Sequence, residues 1–217
     1  MVAAPLTKGN FMKKPTITLG NIELTTPVSQ PRRMSMVLWG PSGAGKTTLA
    51  ATAPRPILWL NFDPDGTSSL MDQKDILIAD FANEKANIVE KFKHDSCAGV
   101  REILEQQDIK TVVFDSVTSF NEMALKHAVS VTNGATLEAP TLQGYGKRNI
   151  FTMQGVMNVV KTTGSKNVNV IFIAHEEAPR VDEVTGAMQI SIMLGGRLQT
   201  EIPIKLSEVW HLEDDGK

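Results

Sequence analysis

Short, nearly uninterrupted apolar runs alternate along this chain with stretches whose apolar residues recur every three or four positions. The runs at 34–39, 56–62, 110–115 and 168–174 have the length of strands and are rich in Val, Ile, Phe and Trp. Between them, residues 47–53 predict a helix that Pro54 stops. Residues 84–107 carry a helical pattern through Ile88, Phe92, Val100, Ile103 and Leu104, broken near 96–99. Residues 119–131 and 150–161 predict two further helices, the second through Met153, Val156, Met157 and Val160. Residues 133–147, from Asn133-Gly134 to Gly144-Tyr145-Gly146-Lys147, read as a loop. Residues 187–212 alternate more loosely, with candidate strands near 189–193, 197–202 and 207–212. Strands apolar on both faces and separated by helices predict an α/β fold, a mostly parallel central sheet with helices on both faces. Residues 1–33 hold Pro5, Pro15, Pro27 and Pro31 with the basic pairs Lys13-Lys14 and Arg32-Arg33. They read as an N-terminal arm ahead of one domain over 34–217.

The most specific chemistry lies between the first run and the first helix. Gly40-Pro41-Ser42-Gly43-Ala44-Gly45-Lys46-Thr47-Thr48 contains a complete phosphate-binding loop, GxxxxGK[ST], in the strand–loop–helix setting that motif requires. The glycines let the backbone curl so that N–H groups converge on an anion. Lys46 brings a positive charge to the β- and γ-phosphates, and Thr47 offers a hydroxyl to Mg2+. The helix that follows turns its positive end toward the same phosphates. ATP and Mg2+ are the ligands this loop calls for.

Other strand tips supply the remaining needs of phosphoryl transfer. Asp115 ends the run Val112-Val113-Phe114 and is placed to hold Mg2+ with Thr47. The run ending Asn61-Phe62-Asp63-Pro64-Asp65-Gly66-Thr67 brings a second acid to polarise water: Asp65, because Gly66 frees the backbone beside it, with Asp63 as competitor. His175 ends the run Ile171-Phe172-Ile173-Ala174 and is a candidate contact for the γ-phosphate. A polar segment follows from 176 to 186. Its Arg180, with the cluster Tyr145, Lys147 and Arg148, supplies the basic-plus-aromatic candidates for nucleic acid. Arg197 and Lys205 are candidates to reach a neighbouring subunit's γ-phosphate.

Bulk composition narrows the class. The 217 residues are 41% hydrophobic and 21% charged, the balance of a globular rather than a disordered chain. The longest apolar stretches fall well short of the roughly 20 residues a membrane helix needs. The start, Met-Val-Ala-Ala-Pro-Leu-Thr-Lys, lacks an apolar core of signal-peptide length. Cys97 is the sole cysteine, which excludes an internal disulfide and fits a reducing cytoplasm. With 22 Lys and Arg against 24 Asp and Glu, net charge is −2, so any contact with nucleic acid has to come from a local cluster.

Taken together, these motifs resemble the RecA-type recombinase superfamily over residues 34–212. Leu58-Trp59-Leu60-Asn61-Phe62-Asp63-Pro64-Asp65-Gly66-Thr67 is similar to the strand that ends in Asp-Thr-Glu-Gly, with Asp65 on the catalytic glutamate. Val112-Val113-Phe114-Asp115-Ser116 is similar to the Val-Val-Asp-Ser signature, and Val170–Glu176 falls on the phosphate-sensing strand tip. The compact size, Gln143-Gly144-Tyr145-Gly146 and the Ala-His-Glu strand end look like phage nucleotide-binding ATPases, a group that includes single-domain recombinases with single-strand annealing activity. The resemblance implies slow hydrolysis of Mg-ATP, binding of single-stranded DNA, and annealing or strand exchange. It implies a homo-oligomeric filament or ring with ATP at subunit contacts, and a single-strand-binding protein as partner. Phe11 is the arm residue available to bridge subunits. Two departures stand out: Asp65 is one methylene shorter than the glutamate, and His175 replaces the glutamine of bacterial RecA. The weak net charge keeps a rival reading in view, a packaging or loader ATPase acting on protein partners.

Overall fold

A computed structural model describes residues 18–23, 33–64, 66–94, 97–182 and 185–213. The chain divides into two units, Met1–Pro31 and Arg32–Lys217. In the first, the described part is an antiparallel pair, β1 (Thr18–Leu19) with β2 (Ile22–Glu23); Phe11 lies outside the described residues.

In the second unit the apolar runs become strands. The order is β3 (Ser35–Gly40), α1 (Lys46–Ala50), β4 (Ile57–Asn61), β5 (Ile76–Asp80), α2 (Val100–Gln106), β6 (Thr111–Asp115), α3 (Val117–Ser130), α4 (Leu142–Ser165) and β7 (Asn169–His175). A short antiparallel pair, β8 (Arg180–Val181) and β9 (Met188–Gln189), precedes α5 (Leu198–Ile204) and β10 (Glu208–His211). Six strands form one sheet in the order β10-β3-β7-β6-β4-β5, every pair parallel. The chain leaves β3 and re-enters at β4, and β6 and β7 later fill the space between. In open parallel sheets ligands bind beyond the carboxyl ends of strands at such a reversal of direction. Register sets which tips share that end: Gly40 pairs with His175, and Asn61 with Asp115.

Alternate residues of each central strand face opposite cores, which is why the runs read as continuously apolar. On one face Val37, Leu60, Phe114 and Phe172 pack under α3 and α4. On the other, Met36, Leu38, Trp59, Val113 and Ile171 pack with Ala50, Ala51 and Leu70. The first core holds an aromatic cluster in which Phe62 lies 4.5 Å from Phe114 and 5.2 Å from Phe120, centroid to centroid. Phe92 meets Phe62, Phe81, Phe114 and Phe120 edge-on. Gly155 on α4 admits the Phe120 ring, since a Cβ there would stand 2.6 Å from it.

Several expectations need correction. β5 was absent from the sequence pattern; it is the sheet's edge strand, and Leu77 and Ile78 are exposed, so its apolar run does not stand out as a buried strand. The loop expected to 147 ends at Thr141, whose side chain accepts from Gly144 N and caps α4. Gly144 is buried against Val129 and Ala135, so a glycine-rich stretch is helical because packing favours it there. The candidate strand 197–202 is helix α5, even with Pro203 inside it. The candidate strand 189–193 reduces to β9 at Met188–Gln189. The long helical pattern over 84–107 resolves into a 3-10 stretch, Ala86–Phe92, and α2, with left-handed backbone at Cys97, Ala98 and Gly99.

Phe92→Ala is expected to lower unfolding free energy by about 3–5 kcal/mol, because it empties a fully buried ring site; urea titration followed by tryptophan fluorescence measures it.

Candidate functional site

The loop after β3 curls as its glycines dictate. Gly43 and Gly45 hold φ of 85° and 83°, the left-handed region that glycine enters without strain. Gly40 is required for a different reason: a Cβ there would collide with the carbonyl oxygen of Leu212. Among the described residues, the N–H groups of Gly43, Gly45, Lys46 and Thr47 make no hydrogen bond to the protein. Four adjacent orphan donors around a turn form a cradle for an anion. The helix behind them, α1, has 5 residues, so its dipole adds little and the loop amides and Lys46 carry the positive potential.

Lys46 is 6% exposed. Its Nζ donates to the carbonyl oxygens of Gly40 at 2.9 Å and Pro41 at 2.6 Å, folding the side chain over its own loop. Burial lowers its pKa, opposed by the negative charges of Asp115, Asp63 and Glu176. The cavity in front has a volume of about 310 Å³ and is lined by Ser42, Lys46, Thr47, Asp63, Asp115 and His175 among others. Its size and its orphan donors suit a polyphosphate tail.

Asp115 is 2% exposed at the tip of β6, and its Oδ2 accepts from Thr47 Oγ1 at 3.4 Å. Burial, reinforced by the Asp63 charge, raises its pKa from 3.8 to about 7; His175, Thr47 and Trp59 pull the other way. Trp59 Nε1 is buried without a full hydrogen bond. A hydroxyl beside a carboxylate whose charge is uncompensated is a donor set that suits a hard divalent cation.

Asp63 behaves in the opposite way. Burial would raise its pKa, but hydrogen bonds from His175, Ser119 and Ser116 prevail and lower it. Its Oδ1 accepts from Ser116 Oγ at 3.0 Å and from Ser119 Oγ, while Oδ2 faces His175 Nε2 at 3.1 Å. Ser116 is also the N-cap of α3 and accepts from Ser119 N at 3.1 Å. The His175 backbone N–H donates to Thr118 Oγ1 at 3.0 Å. Asn61 braces the turn from the other side, its Nδ2 donating to Asp63 O and to Asp80 Oδ1.

The structure therefore brings together Lys46, Thr47, Asp115, His175 and, of the two acids weighed for the β4 tip, Asp63. Asp65 lies outside the described residues. Ser116, Thr118, Ser119 and Asn61 were not expected; the only sequence signal for them is the run of hydroxyls in Asp115-Ser116-Val117-Thr118-Ser119. The other candidates lie apart from this cavity. Arg148 is within 5.0 Å of the Tyr145 ring and packs against Gly195, where any Cβ would overlap its guanidinium. Lys147 Nζ donates to Val131 O at 2.6 Å. Arg180 pairs with Glu177 beside the β8–β9 hairpin. Arg197 starts α5 and pairs with Glu201 at 3.5 Å, and Lys205 ends that helix. Among the described residues no helix is long and apolar enough to cross a membrane.

A family model described as an AAA domain matches residues 32–216. Among solved structures, a prototypical ATPase from the type III secretion system of pathogenic bacteria aligns with a TM-score of 0.50 at 13% identity. The alignment covers 84% of this chain and 52% of that one, so the chain spans about half the length of that ATPase. At this identity the likeness is one of fold. A comparison with curated proteins gives no match.

The perturbed carboxyl has a measurable consequence. Between pH 4 and pH 7 the folded chain keeps a proton on Asp115 that the unfolded chain has released, so this group costs stability progressively as pH rises and costs most above about 7. Asp115→Asn in metal-free buffer is expected to be more stable than the parent near pH 8, the advantage shrinking toward pH 4. The gap from 3.8 to about 7 sets a ceiling of about 4 kcal/mol. Urea denaturation at the two pH values measures it; a difference that does not change with pH contradicts the assignment.

Proposed function

From the premise that the chain belongs to the AAA-domain family of P-loop ATPases, we propose that it hydrolyses Mg-ATP to drive a reaction on single-stranded DNA, annealing or strand exchange in phage recombination. The observation that carries the nucleotide reading is the set of orphan amides in the loop facing a cavity of about 310 Å³ with Lys46 at its edge. In this reading Lys46 exchanges the carbonyls of Gly40 and Pro41 for the β- and γ-phosphates, a swap of neutral acceptors for charged ones that favours the bound state. Thr47 and Asp115 are the residues that would hold Mg2+. Bound there, the ion neutralises charge developing on the phosphate oxygens. Asp63 or Asp65 at the β4 tip serves the attacking water, directly or through a neighbouring side chain, and His175 stands at the γ-phosphate end.

The DNA reading is supported by the meeting of Tyr145 and Arg148. A guanidinium over a ring, half-buried, with no carboxylate partner among the described residues, offers stacking and charge to a base and its phosphate. Lys147 and Arg180 are the further basic residues this reading calls on. Self-assembly into a ring or filament places Arg197 or Lys205 of one copy at the phosphate of the next, and a single-strand-binding protein is the expected partner. The compartment we assign is the cytoplasm of a bacterial host. A second reading is favoured by the net charge of −2: an ATPase of packaging or loading that acts on protein partners.

Lys46→Ala is expected to abolish Mg-ATP binding and turnover; unchanged hydrolysis in a phosphate-release assay ends the enzyme reading. Oligonucleotide anisotropy separates the two roles. The DNA reading expects ATP-dependent binding that weakens steeply with salt, and weakens at least about tenfold in Arg148→Ala. An oligonucleotide that fails to bind at low salt favours the protein-partner reading.

A further inference from the structure

We infer that Asp63 works through His175: the carboxylate orients the neutral imidazole, and His175 Nδ1, rather than Asp63 itself, takes the proton from the attacking water. This rests on the reading of the cavity as a site of nucleoside triphosphate hydrolysis.

Three of the roughly four acceptor positions of the Asp63 carboxylate are taken. Oδ1 accepts from the hydroxyls of Ser116 and Ser119, and Oδ2 faces His175 Nε2. A carboxylate supplied by several donors is held ionised and is a weak base. Asp115 stands beside Thr47 and is committed to the cation in the proposed complex. Lys46 has no lone pair to offer while it is charged. Among the described residues of the cavity wall, the imidazole is the basic acceptor left.

Its orientation is set from two sides. An ionised Asp63 Oδ2 can only accept, so Nε2 carries the hydrogen and Nδ1 carries the lone pair. No partner of Nδ1 is found among the described residues. The backbone of His175 is pinned by Thr118 Oγ1 and by its register with Gly40 of β3, at the start of the phosphate loop. Ser116 and Ser119 belong to the first turn of α3, so the carboxylate that aims the ring is anchored to a 14-residue helix. An Asp–His pair of this kind stabilises the imidazolium as it forms without the carboxylate taking the proton.

In the step itself, the water oxygen bonds to the γ-phosphorus while the bond from that phosphorus to its bridging oxygen breaks, and the bond pair leaves with the nucleoside diphosphate. The water proton passes to Nδ1. The imidazolium, paired with Asp63, then returns it to solvent. The charged groups facing the ring are Asp63 from β4, Asp115 from β6 and Lys46 from α1; Glu176, the next residue, is turned to His211 of β10.

The test is the pH dependence of Mg-ATP hydrolysis by the full chain and three variants. His175→Gln keeps an amide donor toward Asp63 but has no basic nitrogen. It is expected to lower kcat by about 100-fold or more, to leave KM within about threefold, and to lose the acidic limb of the kcat profile. Asp63→Asn removes the carboxylate that orients the ring and answers the imidazolium as it forms, so its kcat is expected to fall by about tenfold or more with KM within about threefold. Retention of more than about a third of kcat in His175→Gln, or of the parent's acidic limb, overturns the inference and returns the proton to a carboxylate. Mg-ATP binding by calorimetry checks that the His175 and Asp63 variants are folded, and far-ultraviolet circular dichroism checks Lys46→Ala; His175→Asn is the substitute if the glutamine variant is not folded. Lys46→Ala in the same assay separates the two levels. Turnover that depends on Lys46 but not on His175 overturns this inference alone, whereas turnover indifferent to Lys46 removes the hydrolase reading and this one with it.

Discussion

A buried ammonium and two buried carboxylates stand at the ends of neighbouring parallel strands, and the rest of the site follows from how their charges are answered. A charge moved out of water is costly unless it finds partners, and the usual relief is to neutralise or to pair. The three groups solve this differently. Lys46 leans on two carbonyls of its own loop. Asp63 gathers hydroxyls and an imidazole and stays ionised. Asp115 has one weak hydroxyl contact and the repulsion of Asp63, and burial raises its pKa to about 7, so that a large share of it is protonated at neutral pH. The site therefore holds an imbalance: orphan amides and an ammonium on one side, an under-paired acid on the other. A polyphosphate with its cation relieves both at once. Geometry of this kind suits an anion and a cation together better than either alone.

The same end of the sheet explains which parts of the protein that binding can move. β7 ends in three consecutive polar residues, and each is tied to a different element. His175 reaches Asp63 at the end of β4. Glu176 bonds His211 Nε2 at 2.7 Å on β10, whose ring stacks on Trp39 at 3.9 Å. Glu177 accepts from Ser191, Gln199 and Arg180, which lie beside the hairpin and on α5. Successive side chains on a strand alternate in direction, so one strand tip can engage the cavity, the sheet edge and the surface loop in three steps. The phosphate end and the hairpin are thus joined through two residues of backbone.

How much of this could be read from sequence depends on whether the cause was local. The phosphate loop was fully legible because every position acts on its own neighbours: glycines for positive φ, a lysine and a threonine at fixed offsets. Asp115 was legible because a buried strand announces its tip. β5 was not, since Leu77 and Ile78 lie on an exposed edge and the burial that distinguishes a strand is missing. The start of α4 was hidden by Gly144 and Gly146, whose low helix propensity is overridden by the Thr141 cap and by packing. α5 was hidden in the same way by Pro203.

The choice between the acids of the β4 tip shows where sequence reasoning reaches its boundary. Gly66 argued for Asp65, because a glycine frees the backbone beside it. In the folded chain Gly66 serves another purpose: a Cβ there would stand 2.7 Å from Asn61 Oδ1, so the glycine makes room for the brace that holds Asp63. That brace, the serines of α3 and the ring of His175 come from three separate segments, and no spacing rule links them. Each is an ordinary residue in its own segment: a strand-end amide, a helix cap, a hydroxyl in a first turn, a strand-end imidazole. Their chemistry exists only once the sheet order β7-β6-β4 has set their tips side by side, and a carboxylate whose donors arrive by tertiary contact is the kind of group whose proton affinity sequence alone leaves open.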